Sequence, residues 1–302
     1  MKYAFYLGCT IPARAVNYEV STRKIAAKLG LELVDLPDFD CCGFPVKSVD
    51  SFTTLVMAAK NIAVAEEKGL DICTLCNGCV VTLVEANHEL KHKEELKDKV
   101  NKELAKLGKE FKGTIEVKHL ARVLYEDVGV EKIKKTVKYP LDDFKLAAHY
   151  GCHYFKPSIV YGRFDDPEFP TSLDKLIEAM GAPQFNYETK TDCCGGGILG
   201  VTEDVALKMA QVKLDDLKKE KADAMISICP FCSVMYDSNQ KSVEKKFETE
   251  YNLPVLYYTQ VLGLAFGVPP DELEFKRNRI RPKEMLQKFN EKYGEKKEEK
   301  KE

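Results

Sequence analysis

Short apolar segments alternate along the chain with longer segments of helical periodicity. Four of the apolar segments end at a cysteine: "KYAFYLGC" (2–9), "LDICTLC" (70–76), "KLAAHYGC" (145–152) and "ADAMISIC" (222–229). Short apolar runs that stop at a turn are typical of buried β-strands. The pattern therefore predicts two buried strands in each half of the chain.

A segment with helical periodicity lies between these strands in each half. Apolar residues recur there at steps of three and four, namely Leu55, Ala58, Ile62 and Ala65 in the first segment and Val205, Met209 and Val212 in the second. Thr202 is the expected N-cap of the second helix, because two acidic residues follow it. Strands that alternate with helices predict an α/β fold with largely parallel sheets.

The arrangement of cysteines occurs twice. Each half contains a single cysteine, then Cys-Cys-Gly, then Cys-x-x-Cys, and ten of the eleven cysteines belong to this pattern. The gap from the paired cysteines to Cys-x-x-Cys is 33 residues in the first half and 34 in the second, and residues 117–130 resemble residues 255–268. We therefore predict an internal duplication, with domains at 1–140 and 141–290 related by a pseudo-twofold axis and a charged, disordered tail at 291–302.

The cysteines lie where predicted strands end and helices begin. Ligands collect at that edge of an open α/β sheet, and helix N-termini stabilise thiolates. Each half is thus expected to gather five thiols at one rim of its sheet. The sequence leaves open whether the two rims face each other.

Composition narrows the class of protein. The net charge of −2 gives no global attraction to nucleic acid or to a membrane, and no apolar run approaches the length of a membrane helix. The N-terminus lacks the features of a secretory signal, so we expect a cytoplasmic protein and read the cysteines as metal or cluster ligands instead of disulfides. Neither a strand-linked GxGxxG nor a GxxxxGK[ST] motif occurs, so no flavin or nucleotide is expected on this chain.

Several sites could use thiols in this pattern. Structural zinc and an ordinary cubane cluster each take four ligands, and the usual ferredoxin run is absent. A thioredoxin-like site would use one Cys-x-x-Cys and leave the paired cysteines idle. Scattered cysteines buried for packing are the remaining alternative. A site with more metal vertices than a cubane explains the doubled cysteine best, with Gly43 and Gly195 letting the backbone approach it closely.

This double pattern of Cys, CCG and CxxC resembles the cysteine-rich CCG-domain family, and within it the B subunits of heterodisulfide reductases from methanogenic archaea. The resemblance covers nearly the whole chain. It implies two noncubane [4Fe-4S] clusters between the two domains. The ligands carried over are Cys9, Cys41, Cys42, Cys76 and Cys79 for the first cluster, and Cys152, Cys193, Cys194, Cys229 and Cys232 for the second.

The same resemblance implies a reaction and partners. The substrate is the mixed disulfide of coenzyme M and coenzyme B, which is cleaved homolytically between the clusters and reduced to two thiols. In the family the C subunit donates electrons directly, the A subunit carries flavin, and a hydrogenase or formate dehydrogenase completes a complex that bifurcates electrons.

Other functions remain open at this stage. The chain could be a CCG-type electron-transfer subunit of a quinone-linked, lactate- or glycolate-oxidising, or thiol:fumarate reductase complex. Such subunits frequently carry fused ferredoxin motifs, and none occurs here. A scaffold that holds two structural zinc ions is the alternative from a different class.

Residues outside the ten cysteines complete the prediction. His153 follows a predicted ligand and is either a proton donor or a packed, hydrogen-bonded histidine. Cys73 is either a substitute ligand or a packing residue. The anionic groups of the substrate call for cations, and the basic residues near the cysteine turns are Arg14, Lys47, Lys156 and Arg163, each of which could equally be a surface charge.

Two further segments carry structural expectations. Residues 85–112 alternate lysine and glutamate and predict one long, solvent-exposed helix. The loop at 156–170 is either a flap over the substrate or a plain connection. His88, His92 and His119 are expected on helices or at the surface.

Overall fold

The computed structural model describes residues 1–294 and contains two parallel β-sheets. The first sheet has the order β2-β1-β3-β4 and the second the order β5-β6-β7, and every pair of neighbouring strands is parallel. The strands are β1 (Lys2–Tyr6), β2 (Glu32–Val34), β3 (Ile72–Thr74), β4 (Val117–His119), β5 (Leu146–His149), β6 (Ala224–Ser227) and β7 (Val255–Tyr257).

Helices follow the strands in both halves. They are α1 (Thr10–Arg14), α2 (Val16–Leu29), α3 (Ser51–Glu66), α4 (Asn77–His92), α5 (Glu94–Leu104), α6 (Leu120–Arg122), α7 (Val130–Thr136), α8 (Ser172–Glu178), α9 (Glu203–Lys219), α10 (Pro230–Ser233), α11 (Gln240–Phe247), α12 (Tyr258–Ala265) and α13 (Lys283–Tyr293). A π-helical segment continues α6 over Val123–Gly129, and another continues α10 over Val234–Ser238. Helix α13 passes the predicted start of the tail at residue 291, and residues 295–302 lie outside the described part of the chain.

The four predicted strands are β1, β3, β5 and β6, and the two predicted helices are α3 and α9, so the predicted α/β class is confirmed. Two local expectations were wrong. Thr202 precedes α9, but its side chain makes no capping hydrogen bond. Residues 85–112 do not form one exposed helix, because the chain breaks at Lys93 and the end of α4 is packed into the core through Ala86 and Leu90.

The second sheet lacks a counterpart of β2, and a proline explains the difference. Two residues after Gly30, the N–H of Glu32 donates to the carbonyl of Met1 at 2.9 Å and joins β2 to the sheet. The residue two positions after the matching Gly181 is Pro183. Proline has no N–H to offer a neighbouring strand, so the ladder cannot extend there.

Helices of each half pack against helices of the other half. Helix α2 of the first half packs against α12 of the second, with Tyr18 stacked on Tyr257 at 4.1 Å between ring centroids. Conversely, α8 of the second half packs against α7 and the π-helical segment that precedes it. This reciprocity is what a pseudo-twofold relation of duplicated halves produces. The division predicted at residue 140 stays a prediction, and it falls between β4 and β5.

The carboxyl ends of both sheets meet along one seam. The side-chain amide of Asn77, which follows β3, donates to the carbonyl of Tyr150, which follows β5, at 2.8 Å. Nε2 of His119, at the end of β4, lies 3.0 Å from the carbonyl oxygen of Ile228, which follows β6. The rims that carry the cysteines therefore face each other. Within residues 1–294, no helix has the length and apolar character needed to span a bilayer.

Candidate functional site

The five cysteines of the first half converge from three segments. Cys9 directly precedes α1, Cys76 and Cys79 lie at the start of α4, and the paired cysteines lie in the loop between β2 and α3. The thiols of Cys9 and Cys41 contact each other, and Cys79 contacts both Cys42 and Cys76. This arrangement follows from the fold, because parallel strands place the turns that follow them at one edge.

The second half repeats the arrangement. Cys152 follows β5, Cys229 and Cys232 lie at the start of α10, and the paired cysteines precede α9. Contacts run from Cys152 to Cys193, from Cys193 to Cys194, and from Cys194 through Cys232 to Cys229. The structure thus brings all five predicted ligands of this half together.

One contact joins the two groups of thiols. The side chain of Cys76 lies within hydrogen-bonding reach of that of Cys229, and both are buried. Cys42, Cys79, Cys194 and Cys232 are buried as well, whereas Cys9 in the first group and Cys193 in the second are exposed. The ten cysteines therefore line one seam, which is buried around Cys76 and Cys229 and exposed at Cys9 and Cys193.

Two glycines shape this seam. A Cβ on Gly8, whose φ is +64°, would lie 2.8 Å from the Cys79 sulfur. A Cβ on Gly151, whose φ is +70°, would lie 2.5 Å from the Asn77 amide nitrogen and 3.2 Å from the Cys232 sulfur. Gly43 and Gly195, expected to let the backbone approach the site closely, contact the thiols through their N–H groups: that of Gly195 donates to the Cys193 sulfur at 3.4 Å, and that of Gly43 to the Cys41 sulfur. Gly43 and Gly195 also lie against α3 and α9, where a Cβ on either would come 3.1 Å from a helix backbone atom.

Hydrogen bonds among the thiols favour ionisation at three positions. The Cys79 thiol, and after it the N–H of Phe44 at 3.5 Å, lower the pKa of Cys42 to about 7. The Cys152 and Cys194 thiols hold the pKa of Cys193 well below its usual range. Burial opposes ionisation of Cys229, but hydrogen bonds from Cys232 and Cys76 lower its pKa as well. The thiols that donate these hydrogen bonds, among them Cys79, Cys152 and Cys232, have raised pKa values in turn, so one thiol of each contacting pair is favoured as the thiolate, the form of cysteine that binds metal.

The donor set suits a group larger than a single ion. Among residues 1–294, no three Cys, His, Asp or Glu side chains converge closely enough to hold one metal ion. The thiols lie instead in a series of pairwise contacts. A polynuclear group takes ligands at several metal atoms and so matches this spread of donors.

His153 lies at the seam. Its ring meets the ring of Phe44, from the other half, edge to face at 5.6 Å, and its Nδ1 is buried with no hydrogen-bond partner among the described residues. Tyr161 donates from its hydroxyl to the His153 carbonyl at 2.5 Å. The lack of a partner at Nδ1 is not what a hydrogen-bonded packing histidine would show, and its role as proton donor stays a prediction.

The four predicted basic residues are at the surface. Lys47 forms an ion pair with Glu85, and Lys156 lies over the Phe155 ring at 5.8 Å. Arg14 ends α1 and Arg163 lies in the 156–170 loop, both exposed. The structure does not bring these four together, and their contact with substrate stays a prediction.

Sequence reasoning missed several residues that position the site. Asn61 on α3 is fully buried, accepts from the Asp40 N–H at 2.8 Å and donates to the Cys41 carbonyl at 3.2 Å. His119, expected at the surface or on a helix, is buried at the seam instead. Cys73 is buried in the core cluster around β1, which supports its packing role.

These features define a class of protein: a duplicated α/β protein whose two halves present matching sets of thiols to a common seam, as metal-dependent redox proteins do. The chain belongs to the cysteine-rich CCG domain family, whose model matches residues 3–84 and 146–237. The two matched segments contain all ten cysteines of the repeated pattern.

Named relatives extend along nearly the whole chain. A Methanosarcina mazei protein, the B subunit of ferredoxin:CoB-CoM heterodisulfide reductase, is 40% identical over 96% of this chain and 97% of its own. A Wolinella succinogenes protein, 8-methylmenaquinol:fumarate reductase membrane anchor subunit, is 34% identical over 92% of this chain and 97% of its own. The match covers nearly all of the second relative, which leaves too little of it for a fused ferredoxin domain. The lack of ferredoxin motifs in the present sequence therefore does not argue against a quinone-linked subunit.

A solved structure supports the fold. The crystal structure of a hypothetical protein from Helicobacter pylori superimposes with a TM-score of 0.75 at 17% identity. The match covers 93% of this chain and 52% of the other.

Proposed function

We propose that this chain is the catalytic iron-sulfur subunit of a heterodisulfide reductase, which reduces the mixed disulfide of coenzyme M and coenzyme B to two thiols. The observation that carries the proposal is the contact between Cys76 and Cys229, because it joins the five cysteines of one half to the five of the other along one seam. A disulfide has two sulfur atoms and needs two electrons, so paired redox sites that face each other suit it. The name of the Methanosarcina mazei relative points to the same substrate.

The residues fit two noncubane [4Fe-4S] clusters, one in each half. Five cysteines per half exceed the four that zinc or a cubane takes, and six of the ten are buried. The ligands would be Cys9, Cys41, Cys42, Cys76 and Cys79 in the first half, and Cys152, Cys193, Cys194, Cys229 and Cys232 in the second. When bound, such clusters supply single electrons on either side of the disulfide, which suits homolytic cleavage.

The protein's own residues would control water and protons. Phe44 and Phe231, one from each half, lie 6.0 Å apart between ring centroids, so each half places an aromatic ring at the seam. His153 would hold a proton for a departing thiolate, since its Nδ1 is not engaged elsewhere among the described residues. The 156–170 loop is tied to His153 through Tyr161, so it would fix that histidine rather than act as a free flap.

Partners follow from what the chain lacks. Its printed sequence has no ferredoxin run and no nucleotide motif, so electrons must come from another protein. We propose a C subunit with ordinary clusters as the direct donor, a flavin-bearing A subunit behind it, and a hydrogenase or formate dehydrogenase in a cytoplasmic, bifurcating complex. The exposed thiols Cys9 and Cys193 mark the places on the seam where electrons could enter.

A second function is favoured by one specific observation. The relative named as part of 8-methylmenaquinol:fumarate reductase is matched over 97% of its own length, so its architecture is the same as far as the match goes. The chain could therefore pass electrons within a quinone-linked complex and bind no heterodisulfide.

One experiment separates these functions and the zinc scaffold. Iron, acid-labile sulfide and zinc are measured on anaerobically purified protein, and reduction of the heterodisulfide by a reduced viologen dye is then followed. About eight irons per chain with matching sulfide and turnover of the disulfide support the proposal. Eight irons without turnover favour the quinone-linked function. About two zinc ions per chain without sulfide would refute both functions and favour the zinc scaffold.

A further inference from the structure

A lysine is buried beside the second group of thiols. Lys213, on α9, is 1% exposed. Its ammonium group donates to the carbonyl of Thr189 and, at 3.1 Å, to that of Lys190, in the loop that leads to Cys193. The ring of Tyr187 lies 5.4 Å away. This is an unusual place for a lysine, because lysines are almost never fully buried unless they are paired.

Among the described residues, the counter-charge for this cation acts only from a distance. Lys213 has no ion-pair partner within 4.0 Å among residues 1–294, and Asp192 and Asp216 act on its charge from further away. Burial lowers the pKa of Lys213 to about 8, so the ammonium form still predominates near neutral pH. Cys194 and Cys232 also interact with its charge. An anionic group held by these cysteines would balance it.

The matching position of the first half is neutral. Lys213 lies 20 residues after Cys193, and the residue 20 positions after Cys41 is Asn61. Asn61 holds the loop before its own cysteines with an amide instead of a cation. Lys60 lies beside it, but its ammonium pairs with Asp40. The counterpart of Asp40 is Asp192, which is exposed, so water screens its charge far more than that of Lys213.

Two unpartnered polar side chains accompany Lys213. His149 is fully buried, and neither ring nitrogen has a hydrogen-bond partner in the described chain. The buried hydroxyl of Tyr236 is also unpartnered, and the two rings lie 5.0 Å apart. Tyr236 interacts electrostatically with Cys194 and Cys232, while burial and then the charge of Lys213 lower the pKa of His149 well below its usual range, so its ring is neutral. Buried polar groups without protein partners point to a ligand that the described residues do not include.

The first half offers no such free donors at the matching positions. Tyr6, three residues before Cys9 as His149 is before Cys152, already donates to the Asp40 carbonyl at 2.5 Å. Leu83, four residues after Cys79 as Tyr236 is after Cys232, has no polar group at all. The duplication has therefore kept the thiols and changed what surrounds them.

We infer that the two sites are electrostatically inequivalent, and that Lys213, with His149 and Tyr236, makes the iron-sulfur group of the second half the easier one to reduce. Each reduction adds one electron, and thus one negative charge, to a group; a buried cation and hydrogen-bond donors to sulfur stabilise that charge. The electron comes from the iron-sulfur partner in the cell and from dithionite in the test. The inference rests on the proposed cluster content but not on the identity of the disulfide.

The test is a redox titration followed by electron paramagnetic resonance on the full-length, anaerobically purified protein. The wild type should show two reduction steps at separate midpoint potentials. Lys213→Gln should lower the higher potential towards the other and leave the lower one unchanged. Lys208→Gln removes the same charge from the exposed side of α9 and should change neither potential, and Lys213→Arg should keep the steps separate.

Each outcome decides the inference. Unchanged potentials in Lys213→Gln, or equal shifts of both, would overturn it while leaving the proposed function intact. If Lys213→Gln loses its iron, the titration of the wild-type protein is used instead. Two reduction steps at the same midpoint potential would refute the inference, and two steps at separate potentials would support it. A wild type without iron and sulfide would instead refute the proposed function and remove the basis of the inference.

Discussion

Replacing Gly151 by alanine tests whether the seam between the halves is as tight as the structure shows. At φ +70° and ψ 145° the residue occupies a region that only glycine adopts readily. The strain of placing alanine there is about 1–3 kcal/mol. The new Cβ would also meet the Asn77 amide at 2.5 Å and break its hydrogen bond to the Tyr150 carbonyl, which leaves buried polar groups unpaired. That loss adds about 1–3 kcal/mol.

Gly129 provides a matched control. Its φ of 85° and ψ of 139° place it in the same backbone region, and a Cβ there would meet nothing within 4 Å. Gly129→Ala should therefore show the strain alone, and Gly151→Ala should be less stable than it by about 1–3 kcal/mol. Urea unfolding under anaerobic conditions measures both variants, and iron content should fall only in Gly151→Ala, because Asn77 adjoins Cys76. Equal stability and equal iron in the two variants would refute the close packing of the seam.

Three further predictions address the ligands, the pH dependence and the loop. Cys194→Ala should lose much of the iron of the second site while Cys73→Ala, also buried, keeps the wild-type content; equal losses would contradict the ligand assignment. Burial raises the pKa of Asp237 to about 6, above its unfolded value, so the folded state binds this proton more tightly and loses up to about 3 kcal/mol as pH rises from about 4 to 6. Urea unfolding between about pH 4 and 6 should show this slope in the wild type, and Asp237→Asn should reduce it. Tyr161→Phe should accelerate proteolysis within residues 156–170 by freeing the loop from His153, whereas Tyr293→Phe, which loses an exposed hydrogen bond to Pro140, should not.

The sequence predicted where the ten cysteines lie in the fold, because the signal for each one is local. Each Cys-x-x-Cys lies at the junction of a strand and a helix, and both elements have their own periodicity. The strands β2, β4 and β7 were not predicted, because each has only three residues and none leads into a cysteine turn as the equally short β3 does. His119 was misjudged for the same reason, since its burial depends on β4.

The meeting of the two rims could not be predicted, because it depends on helices that cross between the halves. The stacking of Tyr18 on Tyr257 and the contact of Cys76 with Cys229 join residues far apart in sequence, with no shared motif. Likewise, Asn61 and Lys213 look like ordinary polar residues on amphipathic helices. Only the fold shows that both are buried and that both hold the loop before a pair of cysteines.

The duplication itself argues for a division of labour between the halves. A symmetric site would treat both sulfurs of a disulfide alike, yet His153 corresponds to Thr10, Lys213 to Asn61 and His149 to Tyr6. Of these differences, Lys213 places a buried cation in the second half, whereas burial and the charge of Lys213 lower the pKa of His149 well below its usual range, so that ring is a neutral hydrogen-bond donor. An electron added to the group of the second half is therefore stabilised by a buried cation and buried hydrogen-bond donors. In the first half only thiols and backbone groups would stabilise it. Two products that differ in size and charge, as the proposed thiols do, would then leave from chemically different sides of one seam.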